Sequence, residues 1–303
     1  MSWRCTTRSQ SLADVTVVIP TRGTSPFLTE AVASASADEP AEVLVVRDGR
    51  ADIGGIAAAG VRVLALERVG RSAARNAGVD AARTPFVAFL DDDDVIVHGS
   101  LRRRRDALAR VPTAPLTFGR VGVIDASGRT IARWNELLDR RFDRLGAAGI
   151  GAATVLAAQA PIYTSATLVR REPFRSVGGY DPTLDAYEDL DLYLRLARIG
   201  PLLPLGGERV VEYRLHGSNT PSDRLYEGLL AVAAKHLPEA RGPLRRHLLE
   251  RQVDALWGLR RMREVRRAAF RAVGDEPLLL AHPRFVRRVA GSLLPSRLVE
   301  GPR

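Results

Sequence analysis

Four runs of apolar and β-branched residues set the rhythm of the first ninety positions. Val15-Thr16-Val17-Val18-Ile19 is closed by Pro20, residues 42–46 and 61–66 follow, and 86–90 is apolar throughout, as a strand covered on both faces must be. Between them, 26–37 and 71–81 have helical composition, the first with Pro26 at an early position. Strands alternating with helices at this spacing predict an α/β protein with a mostly parallel sheet flanked by helices, and ligands in such sheets bind beyond the carboxyl ends of the strands. Further on, the pattern predicts a helix over 99–110 and a strand over 116–124. Asp125-Ala126-Ser127-Gly128 then reads as the turn of a hairpin returning through 130–134. Residues 133–160 are poorly periodic, 164–169 and 210–215 read as strands, and 186–199 as a strong helix. From 221 the character changes. Leu249, Val253, Leu256, Leu259, Met262, Val265, Ala269 and Val273 recur three or four apart and lay one apolar stripe along a helix whose other faces are rich in arginine. The chain therefore divides into an N-terminal extension (1–13), an α/β domain (14–220) and a basic helical appendage (221–303).

Composition narrows this picture. With 303 residues and 46% hydrophobic content the chain can bury a sizeable core. Its single cysteine, Cys5, cannot close an internal disulfide, no Cys/His spacing suits zinc, and the N-terminus has no apolar run behind its charge. The expectation is a soluble protein of the reducing cytoplasm. The uncharged stretch 145–163 is dominated by Ala and Gly and broken by Gln159 and Pro161, so it reads as a packing segment rather than a membrane span. The net charge of +10 invites a nucleic-acid reading, but Lys235 is the only lysine, and Arg with abundant Ala is what a GC-rich genome produces without functional pressure. From Pro221 onward 17 Arg and Lys stand against 9 Asp and Glu, which puts +8 of the +10 in the last 83 residues. A charged apolar stripe of this kind packs on the sheet domain, lies on an anionic membrane surface or joins two copies of the chain.

The chemistry concentrates at Asp91-Asp92-Asp93-Asp94, where the 86–90 strand must end. Carboxylates packed this closely repel one another, and no basic residue lies close in sequence to Asp91 and Asp93, so a divalent cation among them makes physical sense; hard oxygen ligands favour Mg²⁺ or Mn²⁺. The alternative is an acidic turn whose first carboxylates cap the helix starting near Gly99. Two further polar clusters, Thr21-Arg22-Gly23 and Arg47-Asp48-Gly49, fall at the ends of the first two strands. Arg102 to Arg105 cannot share one helical face and read as a solvated turn, with a phosphate site as the rival.

Several segments now fall into one order: Val17-Val18-Ile19-Pro20-Thr21, Gly70 with Arg75-Asn76-Ala77-Gly78, Phe89-Leu90-Asp91-Asp92-Asp93-Asp94, Gly178-Gly179-Tyr180-Asp181, Glu188-Asp189-Leu190-Asp191-Leu192 with Arg195, and Tyr213-Arg214-Leu215-His216. Together they resemble the family 2 glycosyltransferases of the GT-A fold, over about two thirds of the chain. The resemblance implies an inverting transfer from a nucleotide-diphosphate sugar to a sugar or lipid-linked acceptor, assisted by Mg²⁺ or Mn²⁺. It implies metal contacts from Asp91, Asp93 and His216. Donor contacts would come from Pro20, Thr21, Arg22, Asp48, Arg71, Arg75, Asn76, Asp91 and Asp92, with Asp189 as general base beside Glu188. This chain departs from the family's usual pattern at Arg47-Asp48-Gly49-Arg50, where two acidic residues and a Ser are customary, and at Gly23, where an Asn is common.

Asp191 follows Asp189 by two residues, about 200° around a helix, and so should orient the helix or pair with Arg195 four residues on. The competing readings are a nucleotidyltransferase, for which Pro20-Thr21-Arg22-Gly23 is a short loop, and a nucleic-acid-binding module, which leaves the acidic run unexplained. No nucleic-acid partner is therefore expected. Peripheral contact of the C-terminal helices with the inner face of a membrane is.

Overall fold

The computed structural model describes residues 12–56, 61–157, 159–216 and 222–293; Cys5 and most of the N-terminal extension lie outside them. The first half alternates as its pattern dictates: β1 (Leu12–Thr21), α1 (Leu28–Ala37), β2 (Pro40–Asp48), β3 (Val61–Leu66), α2 (Arg71–Ala81) and β4 (Phe86–Phe89). There follow β5 (Val95–Ile96), α3 (Ser100–Arg110), β6 (Leu116–Gly119), β7 (Val121–Asp125), α4 (Ala132–Asp143), α5 (Ala152–Ala157), β8 (Thr167–Arg170), α6 (Arg171–Ser176), α7 (Glu188–Leu196), β9 (Leu202–Leu205) and β10 (Val211–Leu215). Helices α8 (Ser222–His236), α9 (Gly242–Gly258), α10 (Met262–Asp275) and α11 (Pro283–Leu293) follow.

A seven-stranded sheet in the order β3-β2-β1-β4-β8-β6-β9 forms the centre, parallel except for β8, and a small sheet β5-β10-β7 stands beside it. The strand order reverses between β1 and β4, so their carboxyl ends open a crevice there. Apolar residues of both sheet faces are buried in two layers, as the near-continuous hydrophobic runs require. Gly78 lets α2 lie close on the sheet: a Cβ there would stand 2.4 Å from Val18.

The structure corrects several expectations. The 116–124 run is two strands in different sheets, parted at Arg120. The turn after Asp125 forms, but its return is a single bridge from Thr130 to Ile124, because α4 begins at Ala132; the poorly periodic 133–160 stretch holds α4 and α5. The C-terminal stripe belongs to two helices rather than one, since the chain turns at Arg260 with φ +57° and α10 folds back on α9. Val232 and Ala233 of α8 and Leu248 of α9 share the core of the sheet domain, while Val253, Leu256, Val265 and Ala269 build a smaller core between the last helices.

The arginine run on α3 is not a solvated turn. Arg104 is wholly buried and donates to the carbonyls of Ser165 (3.2 Å), Thr167 (3.1 Å) and Ser100 (3.4 Å), while Arg103 reaches the Glu208 and Arg209 carbonyls and Arg105 pairs with Asp14. Nor does the acidic run cap α3. Asp38 does, accepting from the backbone N–H groups of Gly99 and Leu101.

Candidate active site

Parallel strands place their ends together, and three of the polar clusters meet at the crevice. The Thr21 hydroxyl at the end of β1 donates to Asp92, and the Ser25 hydroxyl donates to the Asp92 carbonyl (2.9 Å). Burial, with Asp93 and Asp91 nearby, pushes the Asp92 carboxyl up to about 6 against the pull of Thr21. Asp94 is buried deepest, accepts from the Ser165 hydroxyl (2.5 Å) and the Arg214 backbone N–H (2.9 Å), and is held well above its ordinary value by burial and by its charged neighbours.

The cations that the local sequence lacks arrive from far along the chain. Arg75 of α2 donates through one nitrogen to Asp91 and through the other to Glu188 (3.0 Å), and lies 5.2 Å over the Tyr180 ring. Burial alone would raise Asp91, but Arg75 and Arg71 bring it below its ordinary value. His216 Nε2 meets Asp93 at 2.7 Å. Among the described residues no group of three His, Cys, Asp or Glu has the geometry of a metal site.

Other expected contacts are placed differently. Asn76 does not face the crevice: its amide clips the Tyr180 backbone from both sides at 2.8 Å, beside Gly179, which the φ of +65° and a Cβ clash with the Asn76 oxygen restrict to glycine. Asp48 spends its carboxylate on the backbone N–H groups of Val69 (2.6 Å) and Gly70 (2.9 Å), fixing the turn into α2 rather than standing free for a nucleoside. Arg22 is exposed, Pro20 is buried, and Arg47 keeps a buried Nε that meets no acceptor. Glu188 is buried between Arg71 (3.0 Å) and Arg75 (3.0 Å).

Asp189 differs from Glu188 in having no cationic partner in contact among the described residues. Its carboxylate accepts the Leu190 N–H (2.7 Å), and burial together with Glu188 raises it to about 6. Tyr187, just before it, is held at φ +58°, a left-handed conformation that costs a tyrosine on the order of 1–3 kcal/mol and turns the chain sharply into α7. Asp189 lines two cavities at once. One, of about 390 Å³, holds Arg71, Arg75, Asp91, Asp94, Tyr213 and Glu188; the other, of about 360 Å³, lies toward α4, α5 and α9. Asp191 faces away from both, buried against Arg195 (2.5 Å), Lys235 (2.9 Å) and His236 (2.9 Å).

Ser165, Tyr163, Tyr187 and Arg104 escaped the sequence reading. Ser165 accepts the Asp91 N–H (3.0 Å) while it donates to Asp94, so it fixes two members of the acidic run. Only the place of Ser165 within the strand expected over 164–169 could have hinted at it.

The comparisons with known proteins agree with this geometry. The sequence model described as Glycosyl transferase family 2 matches residues 16–175. The pre-mycofactocin glycosyltransferase of Mycobacterium tuberculosis is 35% identical over 199 residues, 63% of this chain and 40% of that protein, so this chain spans well under half of that relative's length. The succinoglycan biosynthesis protein ExoU of Rhizobium meliloti is 28% identical over 93% of this chain and 87% of its own. Among solved structures, S. aureus TarS 1–349 superposes with a TM-score of 0.64 at 15% identity, covering 96% of this chain and 93% of its own, and so shares the fold. With more than half its length inside the family's match, and with the GT-A sheet and crevice in place, this chain belongs to glycosyltransferase family 2.

Proposed function

We propose that this chain moves a sugar from a nucleotide-diphosphate sugar to an acceptor hydroxyl with inversion at the anomeric carbon. The observation that carries the reading is the position of Asp189, a carboxylate with no ion pair to any described residue that lines two cavities, one of which is also lined by the guanidiniums of Arg71 and Arg75. TarS, of the same fold, has been crystallised with UDP-GlcNAc, which supports a donor of that class.

In the proposed displacement an acceptor oxygen attacks the anomeric carbon from the Asp189 side. The carbon–oxygen bond to the diphosphate breaks with its electron pair on the leaving oxygen, and the acceptor proton passes to the Asp189 carboxylate. A base raised to about 6 is well matched to this task near neutral pH. Arg71, with 47% of its side chain exposed at the N-terminus of α2, offers a free side of its guanidinium to the diphosphate. Arg75 is wholly buried between Asp91 and Glu188 and holds the two carboxylate motifs in register. Asp93 and His216, both partly exposed, would hold a hard divalent ion, since Mg²⁺ commonly takes few protein ligands in such sites. Bound there, the ion would stabilise charge developing on the leaving group.

A donor-hydrolysis screen over UDP-, GDP- and dTDP-sugars, with Mn²⁺ and with excess EDTA, tests the reading. Hydrolysis of one donor that is lost in EDTA is the expected outcome. Asp93→Ala should abolish metal-dependent donor binding in calorimetry; unchanged affinity would move the metal site away from Asp93.

A further inference from the structure

The cavity beyond Asp189 is not accounted for by a donor. Its wall is about half apolar, from side chains such as Leu138 of α4, Leu156 of α5, Ile162 and Leu229 of α8, and two guanidiniums open into it, Arg141 of α4 and Arg251 of α9. Asp189 is the only carboxylate among its described lining residues. Arg251 is held from behind: it donates to the Leu156 carbonyl (3.0 Å), reaches Asp254 at 3.4 Å, and meets Gln159 at 2.7 and 3.1 Å once that amide turns its oxygen inward. Asp254 is itself shared with Arg288 at 3.4 Å. Arg141 is half-buried and has neither an ion pair nor a hydrogen bond to any described residue. A partly desolvated guanidinium beside an apolar wall is unfavourable until an anion joins it.

We infer that the acceptor of this enzyme carries an anionic group, a phosphate or a carboxylate, next to an apolar portion, and that Arg141 binds this group with Arg251 fixed beside it. The inference rests on the transferase reading above and names the acceptor class for it. Planar guanidiniums bind both kinds of oxyanion through paired N–H donors, and the apolar wall takes the adjoining hydrocarbon. The appendage thereby enters the site, since Arg251 and Leu229 lie beyond the boundary at 221.

Calorimetric titration of the full chain, without donor, tests this with three probes below their micelle concentrations: n-hexyl phosphate, n-heptanoate and the neutral n-hexyl β-glucoside. The native chain should bind at least one anionic probe tenfold or more tighter than the glucoside. Arg141→Gln should lose at least tenfold of that affinity, Arg141→Lys should lose less than Arg141→Gln because it keeps the charge but not the paired donors, and Arg140→Gln, exposed on the same helix, should leave it unchanged. Hexyl phosphate tighter than heptanoate makes the group a phosphate; parity makes a carboxylate sufficient. Equal anion binding by native and Arg141→Gln chains, as binding at Arg71 alone would give, overturns the inference, and so does a glucoside bound as tightly as the anions. Donor hydrolysis by the native chain is scored separately. Hydrolysis without Arg141-dependent binding removes this inference alone, whereas Arg141-dependent binding without hydrolysis of any donor removes the transferase reading.

Discussion

In the proposed mechanism two adjacent carboxylates, Glu188 and Asp189, take opposite roles because of what reaches them. Glu188 meets two guanidiniums, whereas Asp189 meets a single backbone N–H among the described residues and would keep a lone pair for a substrate proton. Asp189→Asn preserves the shape and removes the basic charge, so turnover should fall by ~10²–10⁴ with donor affinity nearly intact, measured by steady-state kinetics and donor titration. The base works only when ionised. With the carboxyl raised to about 6, kcat/KM should therefore fall as pH drops below about 6 and level off above it. A wild-type profile flat from pH 5 to 8, or near-native turnover in Asp189→Asn, would place the base elsewhere.

At the level of elements, α7 is oriented from its far side. Asp191 pairs with Arg195 one turn on, as its spacing requires, and also takes Lys235 and His236 from α8, which joins the first of the C-terminal helices to the helix that carries Asp189. Burial opposes ionisation of Asp191, but hydrogen bonds from His236, Arg195 and Lys235 outweigh it and hold the carboxyl well below its ordinary value. Its contribution to stability is therefore present above the unfolded-state pKa of about 4 and is lost as pH falls toward the depressed folded value. Asp191→Asn leaves three basic groups short of their anion and should cost about 3–5 kcal/mol in denaturant unfolding at pH 7. The same variant should unfold with a weaker acid dependence between pH 5 and 2. A loss of turnover in Asp191→Asn without any loss of stability would contradict this division of labour.

Across the whole molecule, five of the nine large apolar side chains exposed among the described residues fall in its last helices; Val63, Val69, Trp134 and Ile199 lie elsewhere. Phe270 (84% exposed), Leu278, Leu280, Val286 and Leu293 all belong to α10, α11 and the short turn between them, among exposed arginines such as Arg267, Arg271, Arg284 and Arg287. No described helix is long and apolar enough to cross a membrane. Arginines beside exposed apolar groups favour an anionic lipid surface, each contributing on the order of 1 kcal/mol near it. The chain should therefore float with anionic liposomes at low salt and be released as salt rises. Failure to float, together with a dimer in solution, would assign these residues to self-association.

The order of elements through β4, the helix over 71–81 and the place of the acidic run at a strand end were all legible in the sequence. Each follows from local periodicity or from a chain-breaking residue, information that lies within a few positions of the residue concerned. The pairing of Asp191 with Arg195 was legible for the same reason, being a contact within one helical turn. What only the tertiary structure decided are contacts between residues from 16 to 113 positions apart. Arg75 neutralises Asp91 and Glu188, Asp38 caps α3 from 61 residues away, Ser165 fixes Asp91 and Asp94, and Arg104 is buried where a solvated run was expected. Side-chain partners in a folded core are chosen by the packing of elements, not by proximity along the chain, so an unneutralised acidic run or a free Asn76 in sequence implies nothing about its neighbours in space. The cavity that Arg141 and Arg251 share with Asp189 is the extreme case: 110 residues separate the two arginines, and only the docking of α9 against α5 brings them to one wall.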